Sequence, residues 1–232
     1  MTFSNGLLDE DIFRPIPASE PIYEAVYNAA LVPWKRHHLA RLVSSCAHVF
    51  CEKSELGHER TMAYLADLRE LMPHHHFVNP IVDDRIEVLE RPALNAILAQ
   101  CRSGLCLSAR EGAMLASMEY LMAGLPVVST PAIGGRHVFA DPEFWLTVPD
   151  NAEAVRDGVV ELIARSVPPE RIRSRTLERV HAHRARLRDA VAMATDGRVT
   201  LPARLDDPVY RCVAGGVNWP NGSDLAKHLG LA

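Results

Sequence analysis

The sequence lacks the features that would place the protein in a membrane or on nucleic acid. Its first residues, MTFSNGLLDED, contain neither a basic start nor an apolar segment, so we expect no signal peptide. The longest apolar stretch, 111–135, is interrupted by Gly124, Pro126 and Pro131, which excludes a membrane span. A net charge of −4 argues against a general nucleic-acid binder. We therefore expect a cytoplasmic globular protein.

The cysteines are poorly spaced for a structural metal site. Both close pairs are spaced C-x4-C, wider than most structural zinc pairs, and the total is odd. We expect reduced, mostly buried thiols and no bound metal. The five residues are Cys46, Cys51, Cys101, Cys106 and Cys212.

Apolar segments and helical patterns alternate between residues 21 and 166. The expected strands are 22–27, 47–51, 76–79, 104–108, 126–130 and 144–149. The expected helices are 36–45, 57–71, 93–101, 113–123 and 152–165. This alternation predicts a single Rossmann-like α/β domain with a mainly parallel sheet and helices on both faces. Residues 1–20 resemble a linker, and we expect 167–232 to form a helical extension with an irregular tail.

One carboxylate, Glu119, stands alone in the most apolar part of the chain. Its predicted helix, 113–123, contains no Lys, Arg or His. A buried carboxylate must be paired, hydrogen-bonded or protonated. Three explanations remain open: an arginine from elsewhere in the chain, a small exposed face shared with Ser117, or a ligand. The vicinal hydroxyls of a ribose would suit such an acceptor.

The position of this helix favours a ligand. The segment 108–112 follows a predicted strand, and ligands of doubly wound sheets bind outside the carboxyl ends of the strands. Backbone amides from Gly112 into the first helical turn can face an anion. A phosphate site and a sugar site on one helix predict a nucleotide-sugar as the ligand.

Three segments, in this order along the chain, resemble a known family. They are NGLLDEDIFRP (5–15), PIYEAVYNAALVPWKRHHLA (21–40) and AREGAMLASMEYLMAGLPVVSTPAIGG (109–135), the last with an E-x7-E motif. Together they resemble the C-terminal, donor-binding domain of the retaining GT-B nucleotide-sugar glycosyltransferases, glycosyl transferases group 1. The resemblance implies half of a GT-B fold, a nucleotide-sugar donor and no metal cofactor.

The resemblance also implies roles for individual residues. Glu111 would lie beside the donor hexose and the reacting bond, and Lys35 would stabilise the diphosphate leaving group. Glu119 would hold the ribose. Backbone amides would contact the donor sugar and phosphate from Gly112, Ala113 and Met114.

Further site residues are predicted from their position in the family pattern and from places where this sequence departs from it. Asn79 and Pro80 fall where the family contacts the base. Ala29-Ala30-Leu31 replaces a common G-R-L pattern, so Arg36 or Arg136 would supply the missing cation. We expect Arg136 either in a tight turn or at the rim of the cleft. Met114 stands where a glycine is common, which narrows the pocket.

The resemblance implies an acceptor-binding domain before the linker, and the linker-like segment here starts near residue 4. We therefore expect the chain to correspond to the donor half of a GT-B enzyme. The chain would be a fragment, a split enzyme that needs a separate acceptor-domain protein, or a degenerate copy. The leading function is retaining sugar transfer from a nucleotide-sugar. The alternative is a non-catalytic nucleotide-sugar-binding or regulatory subunit of a partner glycosyltransferase, and a sugar-nucleotide epimerase is a weaker third option.

Several charged motifs are interpreted as structural. Asp9-Glu10-Asp11 spells the D-x-D metal motif of another glycosyltransferase fold, but it lies in a proline-flanked loop and is expected to be solvated. We expect a surface turn at His74–His76 and a helix surface at His37 and His38. The arginine-rich helix after Pro168 is expected to be a solvated face, with peripheral membrane contact as an alternative.

Overall fold

The computed structural model describes residues 4–17 and 21–201. The remainder of the expected linker and most of the expected tail lie outside the described residues. The part of the tail outside the described residues includes Cys212 and the segment VYRCVAGGVNW (209–219), for which the sequence predicts a strand or turn.

Six parallel strands form the central sheet. In spatial order they are β3 (His76–Phe77), β2 (Cys46–Val49), β1 (Ala25–Asn28), β6 (Gly104–Cys106), β7 (Val127–Ser129) and β8 (Trp145–Thr147). Every pairing is parallel; Ala25 lies opposite Cys46, and Gly104 lies opposite Val127. The predicted Rossmann-like α/β class is confirmed.

Helices cover both faces of this sheet. They are α1 (His58–Leu71), α2 (Arg91–Leu98), α3 (Leu115–Met122), α4 (Ala152–Arg165) and α5 (Pro169–Ala194). Apolar residues of α2, α3 and α5 share one core cluster, and those of α1 and α4 share a second. No helix in the described ranges has the length and apolarity that a bilayer crossing requires.

The helix predicted over 36–45 is wrong. Two short 3-10 turns, Pro33–Lys35 and His37–Ala40, occupy this region instead. Arg36 joins them in the left-handed conformation, with φ of 55°, which an α-helix cannot continue through. His37 is fully buried rather than on a helix surface.

A small hairpin that the sequence analysis missed follows β3. It consists of β4 (Ile81–Val82) and β5 (Arg85–Ile86), paired antiparallel. The connecting residues Asp83 and Asp84 have φ of 48° and 60°, as a two-residue hairpin turn requires. The expected turn at His74–His76 is present only in part, because the central histidine is buried.

Arginines of α5 hold the N-terminal segment against the helix. Arg184 donates to the carbonyl oxygens of Gly6 and Leu8, at 3.0 and 2.9 Å, and to the Glu10 carboxylate at 2.7 Å. Arg173 donates to the Glu10 carbonyl at 2.7 Å. Two expectations therefore change, since the D-x-D loop is not simply solvated and part of the arginine-rich face is used within the chain.

Two further arginines of α5 are paired with one buried carboxylate. Asp141 is 2% exposed and accepts from Arg175 at 3.0 Å and from Arg179 at 2.7 Å. These contacts connect α5 to the loop before β8, which completes the packing of the helical extension on the domain.

Gly104 allows α3 to lie close to the sheet. A Cβ atom at this position would lie 2.2 Å from Cδ2 of Tyr120. The Tyr120 ring therefore packs directly on the backbone of β6, and its hydroxyl accepts a hydrogen bond from the backbone amide of Asn28 at 2.6 Å.

We predict that Gly104→Ala destabilises the protein by about 1–3 kcal/mol, because the new methyl group must displace a fully buried ring. Urea denaturation gives the free energy of unfolding. Gly112→Ala is the matched control, since a Cβ atom there meets nothing within 4 Å. Equal stability of the two variants would contradict the close packing of Tyr120 on β6.

Candidate functional site

A cleft of about 330 Å³ opens beyond the carboxyl ends of β1, β2 and β6. Its lining comes from the end of β1, from the segments after these three strands and from α3. The predicted residues that it brings together are Lys35, Glu111, Glu119, Ala113 and Met114. Asn28, Cys51 and Lys53 also line it, and the sequence analysis did not select them.

The side chain of Glu119 borders the cleft and is 9% exposed. No arginine or lysine lies within ion-pair distance of it in the described part of the chain. One carboxylate oxygen, Oε2, accepts a hydrogen bond from Asn28 Nδ2 at 2.8 Å. Burial raises the pKa of Glu119 to about 7, against the opposing effects of the Asn28 hydrogen bond and the charge of Arg91.

This arrangement distinguishes between the three explanations for an isolated acid. The side chain is neither paired with an arginine nor on an exposed face. A carboxylate has about four acceptor positions, so Glu119 has acceptor capacity directed to the cleft beyond the one used by Asn28.

Lys35 and Glu111 form an ion pair in the cleft. The Lys35 ammonium contacts Glu111 Oε1, and Ser108 Oγ donates to the same oxygen at 3.0 Å. Both charged side chains are mostly buried, with 18% and 15% exposed. The 3-10 turn Pro33–Lys35 presents the lysine, and the Tyr27 hydroxyl anchors that turn by donating to the Lys35 carbonyl.

The loop that contains Glu111 is held by the loop after β7. The Glu111 amide donates to the Ile133 carbonyl at 3.0 Å, and the Gly135 amide donates to the Gly112 carbonyl at 3.1 Å. Gly134 makes this contact possible, because a Cβ there would lie 1.4 Å from the Glu111 carbonyl oxygen and its φ is 131°. These backbone contacts thus fix the position of Glu111 beyond the carboxyl end of β6.

Gly112, Ala113 and Met114 precede the helix rather than open it. The first helical residue is Leu115, two residues later than predicted, and Met114 occupies the N-cap position. The side chain of Met114 is buried at 6% exposure and borders the cleft. Space around Gly112 is open, so a ligand can approach its backbone.

Arg36 is directed away from the cleft. Its guanidinium donates to the Leu107 carbonyl at 2.7 Å, to Thr130 Oγ1 at 2.9 Å and to Asp150 Oδ2 at 2.9 Å. These bonds connect the turn after β1 to the ends of β6, β7 and β8. The geometry gives Arg36 a structural role and does not place its charge in the cleft.

Arg136 lies beneath the site and not at its rim. It is 1% exposed and donates to the Ser108 carbonyl at 2.8 Å and to the Thr130 carbonyl. Since Ser108 in turn binds Glu111, Arg136 supports the loop from below. The sequence GGRH alone does not reveal this burial.

Asn79 also lies outside the cleft lining. Its side chain accepts from the Phe50 amide at 2.7 Å and donates to the Glu87 carbonyl at 2.8 Å, so both of its polar groups are engaged. It ties the β4–β5 hairpin to the end of β2. The adjacent Pro80 is exposed.

Asn28 is the functional candidate that sequence reasoning missed. It is the last residue of β1, so its side chain reaches the carboxyl edge of the sheet where ligands bind. The signal was present as a polar residue at the end of the strand segment IYEAVYN.

Residues 59–165 match one protein-family model, described as Glycosyl transferases group 1. No curated protein matches the chain.

Solved structures show the same fold. The C-terminal domain of the group 1 family protein LpcC from Francisella tularensis has a TM-score of 0.56 and 14% identity, over 75% of this chain and 97% of that one. Alr3699/HepE from Anabaena, in complex with UDP, has a TM-score of 0.61 and 14% identity, over 80% of this chain and 56% of that one. Sucrose-phosphate synthase from Thermosynechococcus elongatus has a TM-score of 0.56 and 20% identity, over 75% of this chain and 46% of that one.

The chain thus spans about half the length of the last two proteins and nearly all of the LpcC domain. Residues 59–165 match glycosyl transferases group 1, and the fold around them is that of the C-terminal domain of a GT-B glycosyltransferase of this group.

Proposed function

We propose that this domain binds the nucleotide-sugar donor of a retaining glycosyl transfer, with the acceptor site supplied by a separate acceptor domain. The observation that carries the proposal is the cleft in which Lys35, Glu111 and Glu119 meet at the carboxyl edge of a parallel sheet. Structures of Alr3699/HepE contain UDP and UDP-glucose, and that protein shares the fold. The proposal requires no metal and includes the expected cytoplasmic location.

Glu119 is assigned to the ribose. In its ionised form the carboxylate is a pure acceptor, and a ribose presents two adjacent hydroxyl donors. Asn28 holds one carboxylate oxygen in place, which fixes the orientation of the other relative to the cleft. Such hydroxyls would replace solvent as the partners of a carboxylate that burial otherwise destabilises.

Lys35 and Glu111 are assigned to the reacting end of the donor. A diphosphate would compete for the Lys35 ammonium, because phosphate oxygens are strong charge-assisted acceptors. Glu111, still held by Ser108, would then accept from hydroxyl groups of the sugar. As the glycosidic bond breaks, Lys35 would stabilise the negative charge that develops on the departing diphosphate.

Backbone groups complete the proposed donor site. Gly112, Ala113 and Met114 lie between Glu111 and the helix, where their amides can face the donor sugar and phosphate. We assign the base contact to the neighbourhood of Pro80, since the side chain of Asn79 is already engaged.

A non-catalytic nucleotide-sugar-binding subunit is the second candidate. Ala30 stands where the G-R-L pattern has its arginine, and both nearby arginines, Arg36 and Arg136, are bonded within the protein. The diphosphate would then be stabilised mainly by Lys35. Sugar transfer or donor hydrolysis by the purified chain, mixed with an acceptor-domain protein, supports the enzyme. Donor binding without turnover, with every acceptor-domain protein tried, supports the binding subunit.

We predict that Lys35→Gln weakens the binding of a nucleoside diphosphate by about 10- to 100-fold, the loss expected for one charge-assisted hydrogen bond. Binding of the corresponding nucleoside should not change, since it has no phosphate. Calorimetric titration with both probes measures the two affinities. Arg41→Gln is the matched control, since it removes a surface cation that does not line the cleft. An equal loss for nucleoside and diphosphate would contradict the assignment.

We also predict that the affinity for the nucleotide-sugar falls as the pH decreases through about 7. The raised pKa of Glu119 means that the carboxyl group takes up a proton there and loses acceptor capacity. The decrease should approach about tenfold per pH unit, one pKa unit being equivalent to a tenfold change. Calorimetric titrations with UDP-, GDP- and ADP-glucose at about 25 °C, each repeated between pH 6 and 8, identify the bound donor and give the pH profile of its affinity.

The control for this profile is Glu119→Gln, which keeps the shape of the side chain and removes its titration. Its affinity should be lower at pH 8 and nearly constant across the range. A wild-type profile as flat as that of the variant would remove Glu119 from the ribose site.

A further inference from the structure

A cluster of three metal-ligand side chains lies in the core between the sheet and α1, away from the cleft lining. Cys46 and His48 are two residues apart on β2, so their side chains share a face of the sheet. His75 joins them from the turn after α1. One ligand atom from each residue lies within 4.8 Å of the others. Cys46 and His48 are fully buried, and His75 is 6% exposed.

The hydrogen bonds determine which ring nitrogens carry protons. The Val43 carbonyl can only accept, so His75 Nε2, 2.9 Å away, must be the donor. His75 Nδ1 therefore has a lone pair and accepts from His48 Nε2 at 3.0 Å. It follows that His48 Nδ1 also has a lone pair, and no hydrogen-bond donor reaches it within the described ranges.

A neutral imidazole fixed by a carbonyl is the usual form of a metal-binding histidine. In metal sites the second ring nitrogen commonly donates to a backbone carbonyl, which sets the tautomer and orientation of the ring. His75 shows this arrangement with Val43. Burial lowers the pKa of both His48 and His75, which favours the neutral form of both rings.

We propose that Cys46, His48 and His75 form a binding site for a soft monovalent metal ion, the cuprous ion. The ion would lie between His48 Nε2 and His75 Nδ1 and bind the sulfur of Cys46. Binding releases the Cys46 thiol proton, and the Nε2 proton of His48 moves to its bare Nδ1. The copper and the protein keep their oxidation states, so the step needs no oxidant or reductant.

The geometry needs only a small adjustment. Metal–imidazole bonds are about 2.0–2.1 Å long, which places two ligand nitrogens about 3.3–3.6 Å apart. The observed separation of 3.0 Å between the two rings must therefore increase by a few tenths of an ångström. Rotation of the Cys46 side chain can bring the sulfur to bonding distance from its position within 4.8 Å.

Charge selects the monovalent ion. A thiolate and a cuprous ion leave the cluster neutral, whereas a divalent ion would leave one positive charge in an apolar core at a large desolvation cost. The buried carboxylates among the described residues are Glu119 and Asp141, and neither belongs to this cluster. Thiolate ligands also select the cuprous ion by softness.

Anaerobic titration of the whole protein with cuprous ion, buffered by a competing chelator, tests the proposal. We expect one ion per chain, and X-ray absorption should show one sulfur and two nitrogen ligands. Cys46→Ala and His75→Phe should each reduce the affinity by more than about 100-fold, since losing an outer partner of a ligand already costs up to that factor. A parallel titration with Zn²⁺ should show weaker binding.

The matched controls are Cys106→Ala, a buried cysteine on another strand, and His58→Ala, a histidine at the start of α1 that pairs with Glu52 and Asp84 and not with the cluster. Both should retain the cuprous affinity. Thermal unfolding of each apo variant separates loss of the site from loss of the fold, and Cys46→Ser provides a second, smaller change at the same position. Affinity retained by both Cys46 variants, a sulfur-free ligand set, or preference for Zn²⁺ would each overturn the proposal.

Discussion

The site depends on Asn28, which ties β1 to α3 through two hydrogen bonds. Its backbone amide donates to the Tyr120 hydroxyl at 2.6 Å, and its side chain donates to Glu119 at 2.8 Å. Tyr120 reaches that amide because Gly104 presents no Cβ atom to the ring. Gly104 thus sets how closely α3 lies to the sheet, and Glu119, the residue before Tyr120, places its carboxylate in the cleft. Everything proposed about the donor rests on this placement.

The two arginines near the cleft stabilise the loops around it. Arg36 binds the Leu107 carbonyl after β6 and the Thr130 hydroxyl after β7, and Arg136 binds the Ser108 and Thr130 carbonyls. A guanidinium is suited to this because it has five donors in a fixed plane. Of the described cations, Lys35 and Lys53 line the cleft. A flexible ammonium can leave a carboxylate for a phosphate at little cost in protein structure, whereas a guanidinium bonded to three groups cannot.

Hydrophobic periodicity was enough to predict the parallel α/β class, because buried strands and covering helices have different repeats. The rule that ligands bind at the carboxyl ends of strands selected the segment 108–112 and the helix that carries Glu119, and the family resemblance added Lys35 and Glu111. The three side chains do meet in one cleft. Partners from distant parts of the chain could not be predicted. Arg184 binds Glu10 across 174 residues, and nothing local to either residue indicates the contact. Arg36 likewise adopts the left-handed conformation at the first residue of the helix predicted over 36–45, and a short 3-10 turn, His37–Ala40, forms instead.

The most direct test of the account is a crystal structure of the protein with its nucleotide-sugar. We predict that both ribose hydroxyls lie about 2.5–3.0 Å from the Glu119 carboxylate, with the Asn28 hydrogen bond retained and Lys35 moved from Glu111 to the diphosphate. A donor bound with its ribose away from Glu119, or a Lys35–Glu111 pair that remains closed over the bound diphosphate, would contradict it.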